Sequence, residues 1–169
     1  MVPTLAPSNP PHHRPTFIPH ANRSHSMPLD LETARTIIAA AAEKGRELGL
    51  KPLTITVVDA GGSTIATERQ DGSSPIRPKV AHGKAFGAVQ VGMGARGLMA
   101  RAEQQPFFLQ SLNALCGGDL VPVPGGVLIH EGEGGPVIGG VGISGDTSDN
   151  DEAAAIAGIE AAGLVADGG

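Results

Sequence analysis

The chain has 169 residues, 40% of them hydrophobic, with a mean hydropathy of +0.03, which suits one folded domain around one core. Residues 28–169 carry ten Lys and Arg against seventeen Asp and Glu, a net −7, and the chain has neither Trp nor Tyr. A chain with no basic surplus and so few aromatic stacking platforms is not built for nucleic acid.

Other classes fall away as quickly. No apolar run approaches the roughly 20 residues needed to cross a bilayer, and the N-terminus lacks the apolar core of a secretory signal. Cys116 is the single cysteine, so no internal disulfide calls for an oxidising compartment. The expectation is a cytoplasmic protein with no membrane partner.

Residues 1–27 stand apart, being rich in Pro, His, Ser and Asn with neither helical nor alternating periodicity. They read as a disordered tail, and Met27 before Pro-Leu-Asp-Leu-Glu reads as a start. A transit peptide is the alternative, since the tail holds Arg14 and Arg23 and no acid, but its prolines spoil an amphipathic helix. Residues 28–169 form the domain.

From Leu29 the spacing of Leu31, Ala34, Ile37, Ile38, Ala41, Ala42 and Leu48 predicts a helix that stops at Gly49. Leu53 to Val58 alternates and is β-branched, Asp59-Ala-Gly-Gly62 makes a turn, and Ser63 to Arg69 returns as the second strand of a hairpin. Residues 76–92 read as a helix, with Gly92 and Gly94 interrupting it. Ala95–Glu103 and Pro106–Leu115 follow as two shorter helices.

Gly126 to His130 and Pro136 to Ile143 are two further strands about a glycine-rich turn, and a last helix runs from Asp149 to Leu164. The order α-β-β-α-α-α-β-β-α contains hairpins and no parallel crossovers, which predicts an antiparallel sheet with helices packed on it.

The residues with chemistry in them are few. Of six histidines only His82 and His130 lie in the domain, too few for a zinc site without further ligands. His82 sits within Arg77-Pro-Lys-Val-Ala-His-Gly-Lys84, where Arg77, Lys79 and Lys84 can hold a carboxylate; the alternative is a solvated helix face. His130 ends a strand beside acidic residues and reads as exposed. Cys116 reads as a small buried residue.

The glycines at 125, 126 and 145 either allow tight backbone approach or bring N–H groups to an anion near a helix start. Asp149-x-x-Glu152 reads as a capping box with Asp149 as N-cap.

Pro124-Gly-Gly-Val-Leu-Ile-His130, Gly139-Gly-Val-Gly-Ile-Ser-Gly145 and Asp149-Asn-Asp-Glu152 together resemble the closing signature of the GlcG/HbpS family of heme-binding-type domains, which includes the C-terminal domain of PduO-type proteins. Val57-Val-Asp-Ala-Gly-Gly62 resembles the family's first hairpin turn and Gly83-Lys-Ala85 its central helix. The matches fall in order across residues 29–165.

The resemblance implies an α+β fold, a profilin-like antiparallel sheet flanked by helices, and homo-oligomers. It also implies heme as the cofactor of some members. On this chain that expectation becomes a site of Arg77, Lys79, His82, Lys84, Gly125, Gly126 and Gly145, with His82 as the candidate axial ligand. Two alternatives stay open: a small catabolic enzyme acting on an organic acid with His82 as acid or base, and a non-catalytic oligomeric accessory protein.

Overall fold

Asp30 opens the first helix: its Oδ1 accepts from the Thr33 backbone N–H at 2.8 Å, one of the orphan donors of a helix start. The computed structural model describes Met1 and residues 29–169, so the tail expected at residues 1–27 lies outside the described residues but for Met1. Helix α1, Leu31–Glu47, buries Ala34, Ile37, Ile38, Ala41, Ala42 and Gly45 along one stripe. Leu31, expected on that stripe, is instead exposed, and Leu29 just before the helix is buried in its place.

Strands β1 (Thr54–Asp59) and β2 (Thr64–Arg69) form the first hairpin. Its turn is held by Asp59 Oδ1, which accepts from the backbone N–H of Gly61 and Ser63, each at 2.9 Å, and by Gly62 at φ 88°. Helices α2 (Arg77–Val91), α3 (Ala95–Gln104) and α4 (Pro106–Leu115) follow, then strands β3 (Gly126–His130) and β4 (Val137–Ser144). Helix α5 is Ser148–Ala161, and a short strand β5, Val165–Asp167, ends the sheet.

The last helix therefore stops three residues sooner than its apolar pattern suggested. Gly163 at φ 74° turns the chain, and Val165 and Ala166 pair with His130 and Ile129 of β3. The N-cap is also corrected: Thr147, not Asp149, caps α5, its Oγ1 accepting from the Asn150 N–H at 3.3 Å.

The sheet runs β2-β1-β4-β3-β5, with every pairing antiparallel, so the fold is α+β as expected. Strand alternation sorts the two faces. Ile55 and Val57 of β1, Val127 and Ile129 of β3, and Val141 and Ile143 of β4 join the buried faces of α1 and α5 in the main core. On the opposite face lie Thr54 and Thr56, Gly140 and Gly142 of β4, and helix α2.

That second face is thin for a specific reason. A β-carbon at Gly142 would overlap the Ala81 carbonyl oxygen, and one at Gly126 would overlap the Lys84 carbonyl. Glycine at both positions lets the α2 backbone lie directly on the strands. A small separate cluster of Leu98, Leu109 and Leu120 seats α3 and α4.

Candidate functional site

Helix α2 has two faces of opposite character. Ala81, Lys84, Ala85 and Ala88 are buried, as the close seating of the helix on glycine-rich β4 requires. Lys79, His82 and Phe86 recur at three- and four-residue steps and so share another face. Lys79 is exposed, and His82 and Phe86 are half-buried. The His82 and Phe86 rings stack with centroids 5.5 Å apart and planes 25° from parallel. His82 Nδ1 lies 3.3 Å from Thr64 Oγ1 on β2, a hydrogen bond, while Nε2 has no hydrogen-bond partner among the described residues.

The first hairpin abuts this face. Gln90 Nε2 donates to the Gly61 carbonyl at 2.9 Å, and a β-carbon at Gly62 would stand 2.7 Å from the Phe86 ring. The hairpin turn thus fixes the Phe86 ring, and the ring in turn supports His82. What results is an imidazole with one nitrogen engaged, an aromatic surface beside it and an ammonium one turn away. Such a set can donate a nitrogen lone pair to a metal centre while contacting a flat apolar ligand that carries a carboxylate.

The other residues singled out in the sequence have different surroundings. Arg77 is half-buried, and its Nη1 donates to Ser144 Oγ at 2.9 Å, tying the start of α2 to the end of β4. Lys84 is 2% exposed and donates to Asp151 Oδ2 at 3.0 Å. Burial pulls the Lys84 ammonium below its ordinary pKa, and the adjacent Asp151 carboxylate works against that shift. Two of the four cationic or imidazole groups expected to hold a carboxylate therefore serve the interior of the protein.

The Pro124–Gly126 and Gly142–Gly145 segments do converge on α2, but by contact. Gly125, at φ 105°, faces Lys84 Nζ and Asp151, and Gly126 lies on the Lys84 carbonyl. Gly145 packs instead against Pro52 and Leu53. Of these glycines, Gly126 and Gly142 lie against α2 backbone.

Two cavities among the described residues lie elsewhere. One, of about 440 Å3, is lined by Leu29, Asp59, Ala60, Pro136, Ile138 and Glu131 among others. It offers apolar walls and two carboxylates, with no imidazole, thiol or cation. The other, about 260 Å3, lies between Pro106, Leu109, Asn113, Leu120 and Pro122.

His130 is half-buried where exposure was expected, because β5 and the β3–β4 turn cover it. Its Nδ1 is 2.8 Å from the Gly135 carbonyl, and Nε2 is 3.8 Å from Asp167 Oδ2. Cys116 is half-buried against the α3–α4 cluster. No group of three or more His, Cys, Asp or Glu placed to hold a metal ion occurs among the described residues.

The acidic start of α5 is engaged as well, save for the buried Glu152 Oε1, which has no hydrogen-bond partner among the described residues. Arg96 donates to both Glu152 and Asp149, and those carboxylates hold its guanidinium above the ordinary range. Asp146 accepts from the Asn150 side chain and from the backbone N–H of Lys51 and Thr147. Those bonds lower its carboxyl to about 2.

Thr64 and Phe86 are the members of the His82 face that sequence reasoning missed as functional. Phe86 lies in the helix read over residues 76–92 and carries no polar group to single it out. The spacing Lys79–His82–Phe86 was a legible signal for it, whereas Thr64 comes from another strand and had none.

Comparison with known proteins agrees with this architecture. The model of the family described as haem degrading protein HbpS-like matches residues 29–160. The crystal structure of a PduOC:heme complex is similar at 28% identity and a TM-score of 0.69, over 79% of this chain and 94% of that one. The Klebsiella pneumoniae protein ORFY is 26% identical with a TM-score of 0.70, over 79% and 89% of the two chains. HbpS is 33% identical with a TM-score of 0.66, over 77% and 86%. No curated protein matches the chain. With nearly the whole described domain matched, the chain belongs to the haem degrading protein HbpS-like family.

Proposed function

We propose that this protein binds heme on the face formed by α2 and β2, with His82 Nε2 as the axial ligand. The observation that carries the reading is the His82 environment. Thr64 engages Nδ1, Phe86 supports the ring, and Nε2 is left without a partner. A protein nitrogen held in this way is a ready ligand, because its orientation is fixed before the metal arrives. Heme, when bound, supplies an iron centre that accepts an axial nitrogen and a macrocycle that carries two carboxylates.

The donor set fits that group. Phe86 offers an apolar surface to the macrocycle, and the exposed Lys79 is placed for a propionate. The 440 Å3 cavity fits it poorly by the same test, since it contains no axial donor and would set Asp59 and Glu131 against the propionates. Likeness to a PduOC:heme complex and to HbpS supports heme as the ligand class.

The organic-acid enzyme reading has less behind it, because Arg77 and Lys84 are engaged with Ser144 and Asp151. The proposal includes a cytoplasmic homo-oligomer without nucleic-acid or membrane partners. No helix among the described residues is long and apolar enough to span a bilayer.

The test is absorption spectroscopy of the protein titrated with hemin. A shifted Soret band that saturates at a fixed stoichiometry is expected, and a spectrum that stays that of free hemin would overturn the reading.

A further inference from the structure

The outer face of α4 has no partner within the chain. Its inner face, Leu109, Leu112 and Cys116, packs with Leu98 and Leu120. On the outer side Phe107 is 82% and Leu115 84% exposed, and Ser111 between them is exposed as well. Phe108 is shielded differently, since the Arg101 guanidinium lies over its ring at 4.4 Å. Large apolar side chains left this bare on one helix face mark an interaction surface.

Charge identifies the partner. No charged residue occurs from Gln104 to Gly118, whereas residues 28–169 as a whole carry ten basic and seventeen acidic groups. Two copies of such a domain repel each other, and the repulsion is least where an uncharged helix faces its own image. An anionic lipid surface would require basic residues beside the apolar stripe, and α4 has none.

The stripe also matches itself. Phe107, Ser111 and Leu115 are spaced four residues apart, large–small–large, so they share one side of the helix. Laid antiparallel about Ser111, Phe107 of one copy meets Leu115 of the other, and the two small residues let the backbones approach. The Ser111 hydroxyl already donates to the Phe107 carbonyl at 2.9 Å, so burying it leaves no unmet donor.

We propose that the outer face of α4 docks a second copy of this chain, antiparallel across a two-fold axis at Ser111. A ten-residue helix alone provides less than the roughly 800 Å2 per partner of a standard interface. The association is therefore of moderate strength and extends along the groove between α4 and Leu120–Pro122. The inference rests on the self-association in the proposed function and is independent of the ligand.

Sedimentation of the full chain across micromolar concentrations tests it. The wild type should exceed its 17.0 kDa chain mass, and Phe107→Glu and Leu115→Glu should each weaken assembly at least about tenfold. Ile76→Glu, an exposed apolar site off this face, should change nothing. Ser111→Cys in a Cys116→Ser background should form an intermolecular disulfide on mild oxidation, whereas Cys116→Ser alone should not. A monomeric wild type would overturn both self-association and this surface. An assembly that survives Phe107→Glu, or a Ser111→Cys that stays uncrosslinked while assembled, would overturn the surface alone.

Discussion

Lys84 of α2 and Asp151 of α5 meet as an ion pair at 3.0 Å with both side chains buried, although their helices pack on opposite faces of the sheet. They reach each other beside Gly125, where any side chain would stand in the way. Asp151 Oδ1 also accepts from the Asp146 N–H at 3.0 Å, so the carboxylate is bound on both oxygens.

Breaking this pair from one side leaves an uncompensated buried charge. Asp151→Ala should cost about 3–5 kcal/mol, whereas Lys84→Met with Asp151→Leu should recover most of that loss. Urea denaturation of the three proteins measures it. A cost below about 1 kcal/mol for Asp151→Ala would mean that water reaches the pair.

The glycine contacts under α2 make an equally direct prediction. Gly142→Ala forces its new methyl onto the Ala81 carbonyl, so the helix must lift from β4, and the loss should be at least about 2 kcal/mol. Gly132→Ala, with open space around it, should stay within about 0.5 kcal/mol of the parent. Equal midpoints in thermal melts of the two variants would contradict the close seating of α2.

Asp146 sets a dependence on acid. Its folded carboxyl, lowered to about 2 from the ordinary 3.8, favours the ionised form in the native state. The contribution is therefore complete above pH 3.8 and is lost as pH falls towards 2. Asp146→Asn should flatten the fall of the urea midpoint across that window, and a slope unchanged from the parent would contradict the assignment.

The elements were legible because their signals are local. The α1 stripe of Ala34, Ile37, Ile38 and Ala41 and the hairpin turn at Asp59–Gly62 depend only on near neighbours. Strand β5 was not, since Val165–Asp167 is too short to show alternation and exists by pairing with β3.

At the site, Lys84 looked like its neighbours Arg77 and Lys79. The seating of α2 on the strands removes it from solvent, and Asp151, sixty-seven residues away, pairs with it there. Gly125 and Gly126 looked suited to an anion, but in the fold Gly125 faces the Lys84 and Asp151 side chains and α2 backbone lies against Gly126. His82 was visible as the domain histidine set among cations, whereas its hydrogen-bond partner Thr64 was not.

That partner is testable by itself. Thr64→Val keeps the shape of the side chain and removes the hydroxyl facing His82 Nδ1. Hemin affinity should fall about tenfold, with the melting temperature nearly unchanged, because the second nitrogen of a ligating imidazole governs its orientation and basicity. Parent-like affinity in equilibrium titrations would show that Thr64 does not position the ligand.

The most direct test of the account is hemin titration of His82→Ala beside His130→Ala, each followed through the Soret band and repeated with added imidazole. His130 is bound to Gly135 and lies near Asp167, away from the α2 face, so its removal should leave affinity at the parent value. His82→Ala should bind at least about tenfold more weakly, and free imidazole should restore the parent spectrum by occupying the vacated axial position. Parent-like binding and spectrum in His82→Ala, or loss of binding in His130→Ala alone, would contradict the assignment of the site.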